Sequence, residues 1–493
     1  MLQYAWLALN LISLRQVLVG TELHVRLATP VGSFGSRPGA PVTAVLIAPV
    51  AVNGETVLPE GSIFSGMVTR AQAVGFGIAH ETSALSLDFD TCTLPGGFRM
   101  PVATRLLELD NSREHVIANG SIHGVRTTSS ISYRATGYIR MVLAWEWHAR
   151  LALWAAKMIL VQVPEPEIYY PAGVELTLGL RDTLVSAVQP HSDERLTGGD
   201  RTELRAVTAG MPYRAYAAGS NRASDLMNLL FAGSKEEIDA AFLAAGWTRA
   251  SPSTMHTTLV GVRAVAEGHG DRHAPMSHML ANDREPDMMW EKGLNDFSKR
   301  HHVRIWKQDA TWNGQPLWIG AATRDVDFAF LRRGGGAMTH KIAQDIDQER
   351  DKIAHDFEFT ACTDVVDWWD RPGAPTAARN GTGDLMETDG RLAVLRLNHC
   401  DSPRVVEDSD SEPLPMHPNP FKRLLRREIL SARSDFYRST IYWRVYEGTR
   451  WAVLALVHRH HPPQEPRTTE PQSDSETMAG GFFARARNSS WFH

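Results

Sequence analysis

Leu226-Met227-Asn228-Leu229-Leu230-Phe231-Ala232-Gly233-Ser234-Lys235-Glu236-Glu237-Ile238 is the stretch on which the fold turns. Its first part is a short apolar run closed by Gly233, which fits a buried strand and is too short for a helix. Ser234 followed three positions later by Glu237 is a capping box, so a helix opens immediately after the strand. Ile238, Phe242 and Ala245 give that helix one apolar stripe, and Gly246 stands where a helix stops. A strand that feeds directly into a helix is a βα unit. A second helical segment is expected at residues 257–267, then a loop through Pro275 and strands at residues 276–281, 301–308 and 317–322. This order predicts a mixed α+β layer domain.

Upstream the period changes. Glu22-Leu23-His24-Val25-Arg26-Leu27 and Leu85-Ser86-Leu87-Asp88-Phe89-Asp90 alternate with period two, and turns fall at Asn53-Gly54, Pro59-Glu60-Gly61 and Pro95-Gly96-Gly97. One wet and one buried face, broken by regular turns, predict an N-terminal β-sandwich or barrel. Gly20-Thr21-Glu22-Leu23 leading to Leu27 returns as Gly173-Val174-Glu175-Leu176 leading to Leu180, which suggests that the β unit closes near residues 170–184. The expected plan is multidomain α+β: a β-rich unit over residues 20–184, a connection over 185–222, an α+β domain over 223–457 and a disordered tail over 458–493.

Composition limits the functions open to the chain. At 493 residues more than one core is expected. A net charge of −5 offers no electrostatic footprint for nucleic acid, so no nucleic-acid partner is expected. Apolar residues at 43% and a mean hydropathy of −0.25 are not those of a polytopic membrane protein. Residues 138–163 are apolar but carry Glu146, Arg150 and Lys157 on one helical face, with Trp145, Trp147 and Trp154 among them. Those charges argue against a spanning helix. A helix in the membrane interface and one packed between the domains both fit. Met1 to Leu14 is uncharged and mostly apolar, and reads either as part of an export signal or as the first element of the fold. Cys92, Cys362 and Cys400 match no zinc spacing. Cys362 and Cys400 could pair in an oxidising compartment, and three buried free thiols are the simpler reading.

Two resemblances add to this. Asn53-Gly54-Glu55, Leu58-Pro59-Glu60-Gly61-Ser62 and Gly66-Met67-Val68 resemble the β-domain of TrbI-like conjugation and secretion proteins. That resemblance implies a periplasmic scaffold and an envelope protein partner. Residues 228–234, Ala244-Ala245-Gly246-Trp247, Ala274-Pro275-Met276-Ser277, Arg300-His301-His302-Val303-Arg304-Ile305-Trp306, residues 318–323, and Thr339-His340 leading to Glu349-Arg350 resemble the LssY C-terminal domain family, over residues 213–360. This resemblance implies a fold and an association with bacterial membranes, in the periplasm or cell envelope, and assigns no particular catalytic activity.

The candidate site comes from the residues themselves. A strand over residues 301–306 puts His302, Arg304 and Trp306 on one face and His301, Val303 and Ile305 on the other. Asp345 would cap a helix starting at Ile346, with Ile346, Ile353 and Phe357 as its buried stripe and Asp347 and Glu349 off it. His302, Arg304, His340, Asp345 and Asp347 are thereby expected to converge. His302 and His340 with Asp345 and Asp347 have the donor types for a divalent metal. Arg304 beside a helix start, with Asp345 and Asp347, could instead hold a ligand. The same groups could equally form a closed hydrogen-bonded network. Two functions follow: an envelope scaffold or ligand-binding protein, peripheral to the membrane surface, or a hydrolase of phosphorylated or lipid-derived substrates with His302 and His340 as acid/base groups and Arg304 as the anion clamp. Gly334-Gly335-Gly336, the His458-to-His461 tract and the basic residues Lys422, Arg423, Arg426 and Arg427 read as a hairpin, a solvated run and a solvated helix face.

Overall fold

The fold is described from a computed structural model. It describes residues 14–75, 82–126, 165–187, 195–250 except 221, 276–330 except 297, 338–405 and 419–439, with isolated positions at 148, 149, 152, 445, 448, 449, 452 and 456. Several expectations therefore lie outside the described residues: the helix at 257–267, nearly all of the stretch at 138–163, the glycines at 334–336, the His458-to-His461 tract and the tail.

The alternating N-terminal sequence builds a nearly closed barrel. Its main strands are β1 (Glu22–Leu27), β2 (Pro41–Leu46), β3 (Ile63–Gln72), β4 (Ala84–Thr93), β5 (Thr104–Leu109) and β6 (Glu175–Leu180), arranged in the order β5-β6-β1-β2-β3-β4. β6 lies antiparallel between β5 and β1, so the repeat of the Gly-x-Glu-Leu pattern marks two neighbouring strands. The edges meet where Thr104 Oγ1 donates to the Phe89 carbonyl at 3.0 Å. Leu23, Val25, Val42, Ala44, Phe64, Leu85 and Leu178 fill the interior, each fully buried. At the β3–β4 bulge Gly66 passes so close that a Cβ would sit 1.8 Å from the Asp88 carbonyl oxygen, which excludes every other residue there.

The second half is a mixed sheet with helices on it. In sequence order its principal parts are α1 (Gly198–Thr208), β7 (Leu229–Ala232), α2 (Lys235–Ala244), β8 (Met288–Lys292), β9 (Arg300–Trp312), β10 (Gln315–Phe330), β11 (Met338–Ile342), α3 (Asp347–Thr360), β12 (Thr363–Asp370) and β13 (Arg391–Leu397). The sheet order is β8-β9-β10-β7-β13-β12, with β11 beside β10, and only β7 and β13 run parallel. Leu229 and Phe231 of β7 point into one core with α2 and α3, while Leu230 and Ala232 point into another with Leu204 of α1. A strand covered on both faces must be apolar throughout, which is why the run at 229–232 shows no alternation.

Local signals are reproduced at the start of α2, where the Ser234 side chain accepts from Glu237 N and the Glu237 carboxylate accepts from Ser234 N. Gly246 has φ +82 and ends the turn. In β9, Val303 and Ile305 face the α2/α3 core and Trp306 faces the other, as period two requires.

Four expectations are corrected. Residues 185–222 are more than a connection: they include the strand Leu184–Ala187 from its second residue, α1, and the strand Arg214–Ala217. α1 has its own capping box, in which Thr197 and Asp200 cap each other. Their polarity reflects an exposed face, and Leu204, Met211 and Ala215 are the apolar positions that pack. α3 starts at Asp347 with Ile346 as its N-cap, and Asp345 accepts from Asp347 N at 3.0 Å. Glu349 is not off the helical stripe, since positions 349, 353 and 357 lie four apart on one face, and Glu349 is buried. Lastly, Cys362 and Cys400 are joined as a disulfide, and Cys92 alone is free among the described cysteines.

The chain divides into two compact units, Met1–Arg427 and Glu428–His493. All the sheets among the described residues belong to the first. Within it Arg426, at the start of α4 (Pro420–Ser439), pairs with Glu167 at 2.8 Å, so this member of the basic group is not a solvated charge. No helix among the described residues is long and apolar enough to cross a membrane.

Candidate functional site

The structure separates the expected residues into three places. His302 and His340 do come together, on Asp325 of β10: His302 Nε2 lies 3.1 Å from its Oδ1 and His340 Nδ1 lies 3.4 Å from its Oδ2. Arg300 adds a bond from Nε to Asp325 at 2.9 Å and from Nη1 to Glu291 at 3.0 Å. Burial would raise the Asp325 pKa, but the charges of His302, Arg300 and His340 hold it well below the usual carboxylate range. Thr323 Oγ1 lies 3.2 Å from the His302 ring, and His302 is only 6% exposed. Arg304 points away from this group, donating to Asp225 at 2.9 Å and to Ser277 at 3.1 Å, and is 2% exposed. Asp345 and Asp347 remain at the start of α3, where Asp347 accepts from Arg350 at 3.1 Å and from Thr388 at 2.6 Å. No set of three or more His, Cys, Asp or Glu side chains among the described residues is arranged to hold a metal. The reason is the pleat and the helix start: His302 and Arg304 share a face yet are spent on different partners, and Asp345 and Asp347 are used on the first turn of α3 and on the 388–389 backbone and side chain beside it.

A different set of groups converges where the barrel meets α3. Glu175 of β6 binds Arg26 at 2.8 Å and also pairs with Lys292 and Lys352. Asp356 of α3 accepts from Arg26 at 3.0 Å, from Lys292 at 3.2 Å and from the Trp247 indole at 2.8 Å. Next to this, His301 is held between Asp110 of the barrel at 2.6 Å and Glu349 of α3 at 2.5 Å. Arg324 donates to Glu108 and Asp110, both at 2.9 Å. Arg26, Glu175, Glu108 and Asp110 come from the barrel strands or the turn after them; the other charged partners come from the second half. The pairs of Glu175 with Lys292 and Lys352, of Asp356 with Arg26, of His301 with Asp110 and of Arg324 with Glu108 and Asp110 join the two halves of the unit.

Burial alone would lower the His301 pKa, but the Asp110 and Glu349 carboxylates more than offset this and raise it to about 9. Asp110 moves down against its own burial because His301 and Arg324 face it. Glu175 and Asp356 likewise stay ionised against burial, with Lys292 and Lys352 as the leading cause in each case. Beside the network lies a cleft of about 430 Å³, within the range of small-molecule sites. His24 of β1 and His355 of α3 also line it. Burial lowers both of their pKa values.

Residues 212–392 match the family model of the LssY C-terminus. The match extends past the 213–360 expected from the motifs, to the start of β13. The LssY C-terminus segment thus supplies β7 to β12 and the α2 and α3 helices, together with the His301, Arg324 and α3 walls of the cleft, whereas Asp110 and Glu175 lie outside the segment. No curated protein matches the chain. Among solved structures it is similar to ComB10 of the Com Type IV secretion system of Helicobacter pylori, at 10% identity and a TM-score of 0.19, over 34% of this chain and 89% of that one.

Sequence reasoning named His302 and passed over its neighbour. His301, Trp247 and Glu349 all sit within the motif matches, but His301 shares a strand face with Val303 and Ile305 and so reads as core. The available signal was a charged residue on an apolar stripe: Glu349 four positions before Ile353 in α3 needs a buried partner.

Proposed function

We propose that the chain is an envelope-associated scaffold or ligand-binding protein rather than a hydrolase. One observation carries this: His302 and Arg304, the groups a hydrolase would need in the open, are 6% and 2% exposed, with the His302 ring on Asp325 and Thr323 and the two terminal nitrogens of Arg304 on Asp225 and Ser277. General acid/base groups must reach a substrate atom within hydrogen-bond distance, and a sealed imidazole does not. Location in the envelope is supported by the Cys362–Cys400 disulfide, a bond that reducing cytosols do not sustain, and by the TrbI-like pattern at residues 53–68. In this reading residues 20–184 and 223–457 are the working units, and α1 with Met211 and Ala215 joins the second. Contact with a membrane surface would run through residues 138–163, nearly all of which lie outside the described residues.

Two measurements test the proposal. Non-reducing mass spectrometry of protein alkylated in intact cells is expected to yield one linked Cys362–Cys400 peptide pair; two alkylated thiols would remove the envelope argument. Incubation with p-nitrophenyl phosphate is expected to give no turnover above background. Turnover that disappears in a folded His302→Ala variant would reinstate the hydrolase.

A further inference from the structure

α4 presents an apolar row to water. Phe421, Leu425 and Ile429 are 68%, 48% and 45% exposed, and Ala432 is exposed beyond them. These positions are four, four and three apart, so the side chains share one helical face. Other sides of the helix are spent on the fold: the Arg426 guanidinium pairs with Glu167 at 2.8 Å, donates to the Val74 carbonyl and lies over the Phe34 ring, and Leu430 is fully buried. The helix start is fixed as well, since the Asn419 side chain accepts from the backbone N–H of Phe421 at 2.9 Å and of Lys422 at 3.2 Å. A helix tied down in this way, with three large apolar side chains left in water along one line, has a face to cover.

Charge decides what covers it. The α4 sequence has six basic residues, Lys422, Arg423, Arg426, Arg427, Arg433 and Arg438, against Glu428 and Asp435, in a chain whose net charge is −5. Lys422, Arg426 and Arg433, spaced by four and seven, run along one flank of the apolar row, and Lys422 is exposed. A helix is about 10 Å across, close to the Debye length of about 8 Å at physiological salt, so the cations of the first turns all act on a surface that touches this face. An apolar row flanked by cations fits the boundary of an anionic bilayer, where the row enters the acyl region and the cations meet headgroup phosphates. Three part-exposed side chains offer well under the roughly 800 Å² per partner of a stable protein interface, whereas shallow insertion into lipid has no such threshold. A second exposed apolar group, Leu14, Leu18, Val19 and Val185, lacks the charge: Arg15 beside it is held by Glu55 at 2.6 Å.

We propose that α4 docks on an anionic membrane surface, with Phe421, Leu425 and Ile429 in the interface and Lys422 at the headgroups. This rests on reading the chain as envelope-associated, and it adds a second contact to the one assigned to residues 138–163.

The test is flotation of the full chain with vesicles of phosphatidylcholine and of phosphatidylcholine mixed with phosphatidylglycerol. Binding to the mixed vesicles is expected to be at least tenfold tighter than to the neutral ones and to weaken as salt is raised. Phe421→Gln together with Leu425→Gln keeps good helix formers in place and is expected to weaken binding to mixed vesicles at least tenfold, at an unchanged melting temperature because both side chains are exposed. Lys422→Glu is expected to weaken the same binding severalfold and to leave that to neutral vesicles as it was. Equal binding to the two kinds of vesicle would overturn the assignment. Binding that survives both α4 variants and is lost in Trp145→Glu with Trp154→Glu would also overturn it, while leaving the envelope reading in place with residues 138–163 as the contact. No binding in any sample would overturn it too, and the state of Cys362 and Cys400 in intact cells then decides the envelope reading separately. A dimer in sedimentation that Phe421→Gln with Leu425→Gln dissociates, with vesicle binding unchanged, would replace lipid by a second copy of the chain.

Discussion

His301 and His302 are neighbours in one strand and lead opposite lives. His302 turns into the second half of the molecule, where Asp325, Arg300 and Thr323 close around it. His301 turns toward the barrel, where it joins Asp110 to Glu349 across the contact between the halves and borders an open cleft. Both clusters pair buried cations with buried carboxylates. One network stabilises a single layer; the other couples two layers and leaves room beside itself, so the difference lies in which surfaces each one joins.

The largest expected effect separates the two clusters. Asp356→Ala leaves Arg26, Lys292 and Lys352 facing Glu175 alone and removes the Trp247 acceptor, at a cost of about 3–5 kcal/mol. Calorimetry is expected to show a lowered melting temperature and a transition split in two, as the barrel and the second half unfold separately. Asp325→Ala should cost a similar amount but keep one transition. A split in the second variant and not in the first would reverse the comparison.

Opening the Cys362–Cys400 bridge is next. The two cysteines are 38 positions apart and join the end of α3 to the chain after β13. Cys362→Ser together with Cys400→Ser is expected to lower stability by about 3–4 kcal/mol by chain-entropy reasoning, as read by urea unfolding. A change below 1 kcal/mol would show that the sheet holds α3 without it.

The third prediction uses pH to distinguish the two histidines. The folded pKa of His301, raised to about 9, lies above the ordinary value of 6.5. Its stabilising contribution is therefore complete below about pH 6.5 and is lost as pH rises through about 9, an effect on the order of 3 kcal/mol. Melting temperature measured from pH 6 to 10 is expected to fall over that window and to fall less in His301→Asn. An unchanged profile in that variant would break the assignment of His301 to the coupling network.

The smallest effect checks the frame that carries both clusters. Ser234→Ala removes the acceptor for Glu237 N at the start of α2 and is expected to cost about 1 kcal/mol, with both networks intact. A larger loss would mean that the capping box supports more than its own helix.

Much of this was legible along the chain. The βα unit at residues 226–246, the barrel alternation and the two faces of β9 all follow from short-range periodicity or spacing. α1 was missed because an exposed helix with one apolar side looks like a polar connection, although Thr197 and Asp200 carry its capping box. The bond between Cys362 and Cys400 was set aside because spacing alone cannot say that a helix end and a strand end return to one point.

The sequence by itself determined the kinds of element, their order and which side chains share a face, because those depend on neighbours within about four positions. Only the tertiary structure decided which buried charges meet. Glu175 and Asp356, or Asp110 and His301, are far apart in the chain and carry no local signature of each other. Their pairing exists because the barrel presents the ends of β5 and β6 to one face of α3, where an unpaired charge would be too costly to bury.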